Sequence, residues 1–379
     1  MTFYQAMQLG ANALKPMIKD TTDEKLKRKY ITALIVKDFL CLFFCMAVVI
    51  AFSTVFGTEN SIVGVVTVIL LLTFRFSNLD FEVKQSAFTL LGIFGIYMIG
   101  PFIASASSPI VASIINFIFI MIIVVLSCHN VVLCNQSTLV LCYLLLYGYE
   151  VTSIDAYINR VIGLLIGGLI VSVIFYCKQR KVKFENNLID IIQDFTLTNE
   201  RSRWQLKLSL GICTGMLIGE LIGLPRSMWI GFSCMSIIQP TQNRLEFRCK
   251  TRPKYLILGC LMFGLFYVIL PTSLKGNIGI LGGLLVGLSA TYEWQTVFNC
   301  FGALGAAIPV LGFELAIIMR IVNNVFGALY SKVFNNVFIK LEESIASISV
   351  VDEMKATNVV DGMIDEMAST NVIDEAVEN

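Results

Sequence analysis

Apolar runs separated by short polar segments recur along the chain from residue 34 to residue 337. A helix of about 20 apolar residues crosses the hydrocarbon core of a bilayer. Twelve segments follow this pattern, although several are shorter. The pattern predicts an all-α, polytopic membrane protein with twelve transmembrane helices. The predicted spans are 34–56, 61–75, 86–104, 109–127, 130–148, 158–177, 204–223, 227–240, 255–271, 277–291, 294–312 and 315–337.

Composition and charge agree with this fold class. Of the 379 residues, 56% are hydrophobic and only 15% are charged, whereas a soluble domain has about 25% charged residues. Between the spans, 23 of the 28 lysines and arginines lie on the side of the N-terminus. Only Arg226 and Lys275 lie on the opposite side, while Lys37, Arg160 and Arg320 lie within spans. Because basic loops stay inside, both termini are predicted to be cytoplasmic.

Two parts of the sequence resemble each other. The segment "NLDFEVK" at 78–84 aligns with "RLEFRCK" at 244–250, and Arg160 with its following glycine and valine aligns with Arg320. Each part contains an even number of predicted spans, so both parts begin on the same side of the membrane. The sequence therefore predicts two parallel six-helix repeats, with sites where the halves meet.

The predicted boundaries follow from these segments. Ten acidic residues, one lysine and no aromatic residue lie from 341 onward, which is typical of a weakly structured segment. The predicted regions are a cytoplasmic juxtamembrane helix broken at Pro16 (1–30), the first repeat (31–177), a cytoplasmic amphipathic connection (178–203), the second repeat (204–340) and an acidic cytoplasmic tail (341–379).

Arg160 and Arg320 are the first candidates for a functional site. Each lies in an apolar span, where an arginine costs at least about 2.5–3.5 kcal/mol and cannot lose its charge. Such residues usually face a cavity, a partner or an anion. The alternative is an ion pair with a nearby acid, which would be Glu150 or Asp155 for Arg160 and Glu314 for Arg320.

Polar amides within the spans, together with one tryptophan, are the second set of candidates. With the two arginines they offer fixed donors to a carboxylate and a ring surface. The alternative is that the amides join neighbouring helices. The candidates are Asn135 and Gln136 on the fifth span, Gln295 and Asn299 on the eleventh, Asn323 and Asn324 on the twelfth, and Trp229 on the eighth.

The sequence gives no indication of an enzyme. The eleven cysteines show no zinc-ligand or redox-pair spacing, and no nucleophile lies beside a base. The glycine-rich spans have no preceding strand or following Walker lysine, so nucleotide binding is not expected. No cofactor, metal or nucleic acid is predicted. The expected partners are the lipid bilayer and a small organic anion, with a homodimer left open.

Three segments resemble the fusaric-acid-resistance family of bacterial inner-membrane proteins, which includes aromatic acid exporters. They are "LPRSMWIGFSCMSIIQP" at 224–240, "KYLILGCLMFG" at 254–264 after a basic loop, and "RVIGLLIGG" from Arg160. The resemblance implies the bacterial cytoplasmic membrane and efflux of aromatic carboxylic acids. Distant relatives include the plant aluminium-activated malate transporters, which are anion channels. The chain keeps only part of the family's arginine–glycine pattern, and the large soluble cytoplasmic domain of many members is reduced here to the connection near 178–203 and the acidic tail.

The function predicted from the residues and the resemblance is secondary export of small organic anions, with aromatic carboxylates as substrates. Arg160 and Arg320 would bind the carboxylate between the two repeats, and Trp229 would contact the ring. A passive anion channel is one alternative, because a cationic cavity open to both sides conducts. A membrane scaffold that does not transport is the other.

Overall fold

The protein is described by a computed structural model that covers residues 1–344 in detail, so most of the predicted tail (341–379) lies outside the described residues. The described secondary structure is helical. The α-helices are α1 (Phe3–Gln8), α2 (Ala11–Asp20), α3 (Glu24–Phe56), α4 (Ser61–Phe74), α5 (Val83–Ser105), α6 (Pro109–Ser127), α7 (Gln136–Gly148), α8 (Ile154–Gln179), α9 (Leu188–Gln193), α10 (Glu200–Leu221), α11 (Met228–Ile237), α12 (Gln242–Ile269), α13 (Thr272–Lys275), α14 (Ile278–Gly287), α15 (Tyr292–Leu311) and α16 (Phe313–Ser344).

The chain divides into two compact units, Met1–Ser331 and Lys332–Asn379. The first unit contains α1 to α15 and the part of α16 up to Ser331. The described part of the second unit is the remainder of α16, from Lys332 to Ser344.

Seven of the described helices are long and apolar enough to cross a membrane, namely α3, α5, α6, α8, α12, α15 and α16. The protein is therefore a polytopic helical membrane protein. The other five predicted spans correspond to α4, α7, α10, α11 and α14, of which all but α10 are apolar and shorter than 18 residues. The count of twelve spans, the two parallel repeats and the cytoplasmic termini stay predictions.

Helix boundaries differ from the predicted spans at three places. The basic segment before 254, expected as a loop, is the first part of α12, because its arginine, glutamate and lysine residues are good helix formers. The N-terminal helix breaks at Gly10, and α2 continues through Pro16. The fifth predicted span begins at Gln136, because Cys134 adopts a left-handed backbone (φ 52°) that ends the preceding turn.

Hydrogen bonds hold alternate loops together in two groups. The outer loops, named after their predicted side, are 57–60, 149–153 and 222–227. Asn60 Nδ2 donates to the Ala156 carbonyl at 2.9 Å, and Arg226 Nη1 donates to the Gly148 carbonyl at 2.8 Å. These bonds join the first turn of α8 and the end of α7 to the neighbouring outer loops.

The inner loops are 75–82, 128–135 and 180–199. His129 Nδ1 lies 2.7 Å from Asp80 Oδ2, and His129 Nε2 lies 3.3 Å from Asp194 Oδ2. The Glu82 amide donates to the Asn186 carbonyl at 2.9 Å. Consecutive connections therefore gather at opposite ends of the helices, as a chain that repeatedly crosses a layer requires.

Close packing between α12, α14 and α15 depends on glycine. A Cβ at Gly259 of α12 would lie 2.9 Å from Val297 Cα on α15. A Cβ at Gly282 of α14 would overlap Phe301 Cβ on the same helix α15. Glycine allows the three backbones to approach closely, as small residues do in membrane proteins.

Candidate functional site

A cavity of about 1440 Å³ lies among α4, α7, α11, α12, α15 and the first turns of α16. Small-molecule pockets usually measure about 300–1,000 Å³, so there is room for a small organic ligand together with water. The lining includes residues of the three outer loops, among them Glu59 and Arg226, and it continues to Ser137, Arg248 and Tyr292 near the starts of α7, α12 and α15, on the predicted inner side. The cavity therefore extends from the outer ends of the helices toward their inner ends.

Arg320 of α16 lies on the wall of the cavity with only 5% of its surface exposed. Its guanidinium carbon lies 5.0 Å from the centre of the Trp229 ring, which is a cation–π arrangement. Its Nε and Nη1 atoms have no hydrogen-bond partner among the described residues. A buried cation with unpartnered donors is costly, and such a residue in a membrane span is a candidate for a functional site.

Two further arginines line the cavity from successive turns of α12. Arg252 donates from Nη2 to Asn324 Oδ1 at 3.2 Å and from Nη1 to Tyr292 Oη at 3.4 Å. Its Nε atom has no partner within residues 1–344. Arg248 lies 4.7 Å from the centre of the Tyr292 ring and donates to the Ser236 carbonyl at 2.8 Å. The two arginines hold Tyr292 between them.

Charge is distributed unevenly along the cavity. The acidic residues of its lining, Glu59, Glu150 and Glu220, lie in or beside the outer loops. Arg248 and Arg252 line the cavity near the early turns of α12 and the first turn of α15. No acidic residue of the described chain lines this part of the cavity. The deep end is therefore positively charged, and an anion there would be attracted by fixed charges in a medium of low dielectric.

Arg226 lies at the outer end of the cavity in an uncommon backbone conformation, with φ at 62°. Its guanidinium carbon is 5.0 Å from the centre of the Tyr149 ring. Burial raises the pKa of the Tyr149 phenol, although Arg226 and Arg320 act in the opposite direction. Tyr149 therefore stays neutral near physiological pH and leaves the charge of Arg226 uncompensated.

Four of the nine predicted site residues line this cavity: Arg320, Trp229, Gln295 and Asn299. Asn324 lies directly behind it, because its Oδ1 accepts from Arg252 and its Nδ2 donates to the Arg320 carbonyl at 2.9 Å. The structure thus brings five of the candidates together.

Asn323 lies one residue away but points to the outer loops. Its Nδ2 donates to the carbonyls of Pro225 and Arg226 at 2.8 and 3.3 Å. It fixes the backbone of Arg226 and thereby the outer end of the cavity.

Arg160 lies outside the cavity, and its hydrogen bonds explain why. It is 5% exposed, and it donates from Nε to Asn60 Oδ1 at 3.0 Å, from Nη1 to the Tyr149 carbonyl at 2.6 Å and from Nη2 to the Glu59 carbonyl at 3.3 Å. These bonds tie α8 to two outer loops. The guanidinium is satisfied by the protein itself.

Neither arginine follows the alternative prediction of an ion pair. The ion pairs formed within residues 1–344 do not include Arg160 or Arg320. Backbone carbonyls and Asn60 serve Arg160 instead, and Arg320 keeps unpartnered donors.

Asn135 and Gln136 lie at the start of α7, at the inner loops. Asn135 Nδ2 donates to the carbonyls of Asn78 and Ser127, both at 2.8 Å. Gln136 Oε1 accepts from Cys128 Sγ at 3.8 Å. Both side chains are buried and join inner loops, as the alternative interpretation of the amides expects.

Arg248, Arg252 and Tyr292 line the cavity but were not predicted as site residues. The two arginines fall among the basic residues of a predicted cytoplasmic loop. Their spacing of four residues, continued back to Arg244, was the available signal, because it places all three on one face of a helix. Tyr292 gave no comparable signal.

Residues 212–334 match a family model described as fusaric acid resistance protein-like. The matched range contains α11 to α15 and all four arginines that line the cavity. Comparison with curated proteins and with solved structures found no match. The match covers about a third of the chain. It includes the segments at 224–240 and 254–264, which carry most of the resemblance described from the sequence. It confirms that resemblance and supports the membership of this chain in the fusaric acid resistance protein-like family.

Proposed function

We propose that the protein is a secondary transporter that exports small organic anions, with aromatic carboxylates as its substrates, across the bacterial cytoplasmic membrane. The family suggests a role in membrane transport or efflux in broad terms, and a transporter rather than an enzyme. The substrate class and the site are inferred from the cavity.

The observation that carries the proposal is the guanidinium of Arg320. Two of its donors are buried beside the cavity and lack a partner within the described chain. Arg252 contributes a third such donor, and its charge is close enough to act on Arg320. A carboxylate accepts hydrogen bonds from just such groups, and bonds of this type are stronger than those between neutral groups. An anion that enters beside Arg320, with a shift of the side chains that cover Nε and Nη1, would satisfy donors that the fold leaves unsatisfied.

An aromatic substrate fits the rest of the lining. Trp229 lies behind Arg320, and Leu141, Phe232 and Leu256 also face the cavity. A site that combines apolar walls with a few fixed polar groups is typical of a small-molecule pocket. Gln295 and Asn299 on α15 supply neutral donors, which can hold a ring substituent without adding charge.

The driving force for export follows from the negative charge of the substrate. An anion that leaves the cell moves down an inside-negative potential and gains about 2.3 kcal/mol per charge per 100 mV. The cavity lining extends from the outer loops toward the inner ends of α7, α12 and α15, so alternating access requires the inner end to be closed while the outer end is open. A passive anion channel would connect both faces at once.

The proposal assigns different roles to the predicted residues. Arg320, Trp229, Gln295 and Asn299 contact the substrate, and Asn324 positions Arg252. The remaining four residues hold loops in place and touch no substrate: they are Arg160, Asn323, Asn135 and Gln136.

Exchange across liposomes tests the proposal. Purified protein is reconstituted into liposomes loaded with phthalate, and entry of labelled phthalate is measured. Phthalate is an aromatic dianion near neutral pH, so it crosses lipid poorly by itself. Arg320→Gln is expected to raise the half-saturating concentration about 10- to 100-fold, because a hydrogen bond to a charged group contributes about 1.5–3 kcal/mol.

Arg180→Gln is the matched control, because Arg180 is exposed at the end of α8. It is expected to exchange phthalate as the parent protein does. Malate, an aliphatic dianion, is expected to compete weakly.

An Arg320→Gln variant that folds and exchanges phthalate with the parent's concentration dependence would refute the site. Sustained unitary currents in planar bilayers would favour the channel instead. Loss of exchange on removal of residues 345–379 would favour a role for the tail.

A further inference from the structure

Asp38 of α3 is a buried acid that the proposed anion site does not use. Only 6% of its surface is exposed, and its Oδ2 atom has no hydrogen-bond partner among the described residues. It lies one turn inside the first predicted span, in a helix with a strongly apolar stretch. An ionisable group within a membrane span is expensive and is usually retained for a function.

The Asp38 carboxyl contacts α14 at Gly287. A Cβ built on Gly287 would overlap Asp38 Oδ1, so glycine is the residue that lets the carboxyl lie against the backbone of α14. The close approach is specific to this pair, because Gly283, one turn earlier on α14, meets only Leu42 at 3.6 Å.

Among residues 1–344, none of the charged groups near Asp38 forms an ion pair with its carboxyl. Lys37 is the nearest, but its Nζ donates to the Leu9 carbonyl at 2.9 Å. Cys41 lies one turn further along α3, with its thiol free of a disulfide.

The other helices packed on α3 supply no partner either. α4 and α14 contain no titratable residue. The ionisable side chains of α1, α2 and the 57–60 turn are exposed: Tyr4, Lys15, Lys19, Asp20 and Glu59. On α8, Asp155 and Lys178 are exposed and Arg160 is bonded to the outer loops.

Burial of an unpartnered carboxyl oxygen favours the neutral acid over the carboxylate, because the carboxylate carries a desolvation cost. The carboxylate form requires water or a donor at Oδ2. Because Oδ1 lies against α14 at Gly287, ionisation and hydration of the carboxyl are expected to change the packing of α3 on α14 there. The protonation state of Asp38 is therefore linked to the position of α14.

α14 in turn packs against α15, where Phe301 lies over Gly282. α15 carries Tyr292, Gln295 and Asn299 of the cavity lining. A shift of α14 relative to α3 therefore moves a helix that forms the cavity wall. This chain of contacts connects a proton-binding group to the anion site.

We propose that Asp38 is the proton-binding site that couples inward proton movement to outward anion movement. The inference rests on the proposed transport function and adds its coupling ion. A proton from the outer side binds the Asp38 carboxylate, and the neutral acid packs against Gly287. The proton then leaves to the inner side and restores the carboxylate. Both movements carry positive charge inward, so an inside-negative potential drives both of them.

The sign of a pH change tests the proposal. Liposomes containing the protein and a trapped pH-sensitive dye receive phthalate on the outside. Coupled exchange of an entering anion for a leaving proton makes the lumen alkaline. Passive entry of the protonated acid makes the lumen acidic, so the two processes are distinguished by sign. The parent protein is expected to give the alkaline change.

Asp38→Asn keeps the shape of the side chain and removes its titration. The alkaline pH change is expected to be at least tenfold smaller in this variant than in the parent protein. The rate at which it exchanges labelled for unlabelled phthalate is expected to stay within about twofold of the parent rate. Asp20→Asn is the matched control, because Asp20 is an exposed aspartate at the end of α2, and it is expected to keep both activities. Asp38→Glu keeps a titratable group and is expected to retain a reduced alkaline change.

Several outcomes would overturn the coupling role. These are an alkaline change in Asp38→Asn equal to that of the parent, loss of phthalate exchange in Asp38→Asn, or parent uptake that follows a sodium gradient without a pH change. Absence of phthalate exchange in the parent protein would instead refute the proposed transport of aromatic anions. The two failures are therefore separate.

Discussion

Arg160 and Arg320 occupy matching positions in the sequence, yet the same substitution is expected to affect them in opposite ways. Arg160→Gln removes three donors at 3.0, 2.6 and 3.3 Å from their acceptors. Glutamine is shorter and has a single amide nitrogen to donate. Each buried acceptor left without a partner costs about 1–3 kcal/mol. We expect Arg160→Gln to lower the free energy of unfolding by about 3–5 kcal/mol.

Arg320→Gln removes a buried charge whose Nε and Nη1 lack partners in the described chain. The loss of its contact with Trp229 costs about 0.5–2 kcal/mol. Relief of the desolvation of the guanidinium offsets this cost. We therefore expect the stability of the unliganded Arg320→Gln variant to equal or exceed that of the parent protein.

Thermal unfolding in detergent, followed by circular dichroism with and without phthalate, measures both effects. Arg160→Gln is expected to unfold several degrees lower than the parent and still to be stabilised by phthalate. Arg320→Gln is expected to unfold at the parent temperature or above and to gain little from phthalate, since a ligand stabilises only the state that binds it. Equal destabilisation by the two substitutions, or phthalate stabilisation of Arg320→Gln alone, would refute the reasoning.

Three further substitutions test other parts of the account. Trp229→Leu removes the cation–π contact and is expected to weaken phthalate binding about 3- to 30-fold, as measured by isothermal titration calorimetry. Arg252→Gln is expected to weaken binding of phthalate more than that of benzoate, because a second carboxylate would use the second arginine. The hydrogen bond from His129 lowers the pKa of Asp194, so the stability it contributes is present above the ordinary aspartate pKa of about 3.9 and is lost as pH falls below it. The difference in unfolding temperature between the parent and Asp194→Asn should therefore be larger at pH 7 than at pH 3, and a constant difference would contradict this.

Much of the fold could be predicted from the sequence, because apolar length and helix propensity act locally. Helices occur at all twelve predicted segments. Boundaries were less predictable, because they depend on contacts between distant residues. The early turns of α12, for example, place Arg248 against Tyr292, 44 residues further along the chain. Polarity alone could not distinguish these turns from a loop.

The site was only partly predictable, since the two arginines that align in the sequence have different neighbours in the structure. Asn60 lies 18 residues before the aligned segment at 78–84, and Arg226 lies 18 residues before the one at 244–250. Asn60 accepts a hydrogen bond from Arg160. An arginine cannot accept one, so the corresponding position in the second part offers Arg320 no acceptor. The predicted sequence repeat points to both cations, but it does not show that Arg160 is satisfied by Asn60 and two backbone carbonyls while Arg320 keeps unpartnered donors.

The central claim is that Arg320 and its neighbours bind an aromatic carboxylate within the cavity. A structure determined with 4-iodobenzoate tests this most directly, because the iodine atom can be located by its anomalous scattering. Iodine is expected within the cavity, with the carboxylate within hydrogen-bond distance of Arg320 and the ring beside Trp229. Iodine bound only beside Arg160 or outside the cavity, with Arg320 still without an anion at saturating ligand, would contradict it.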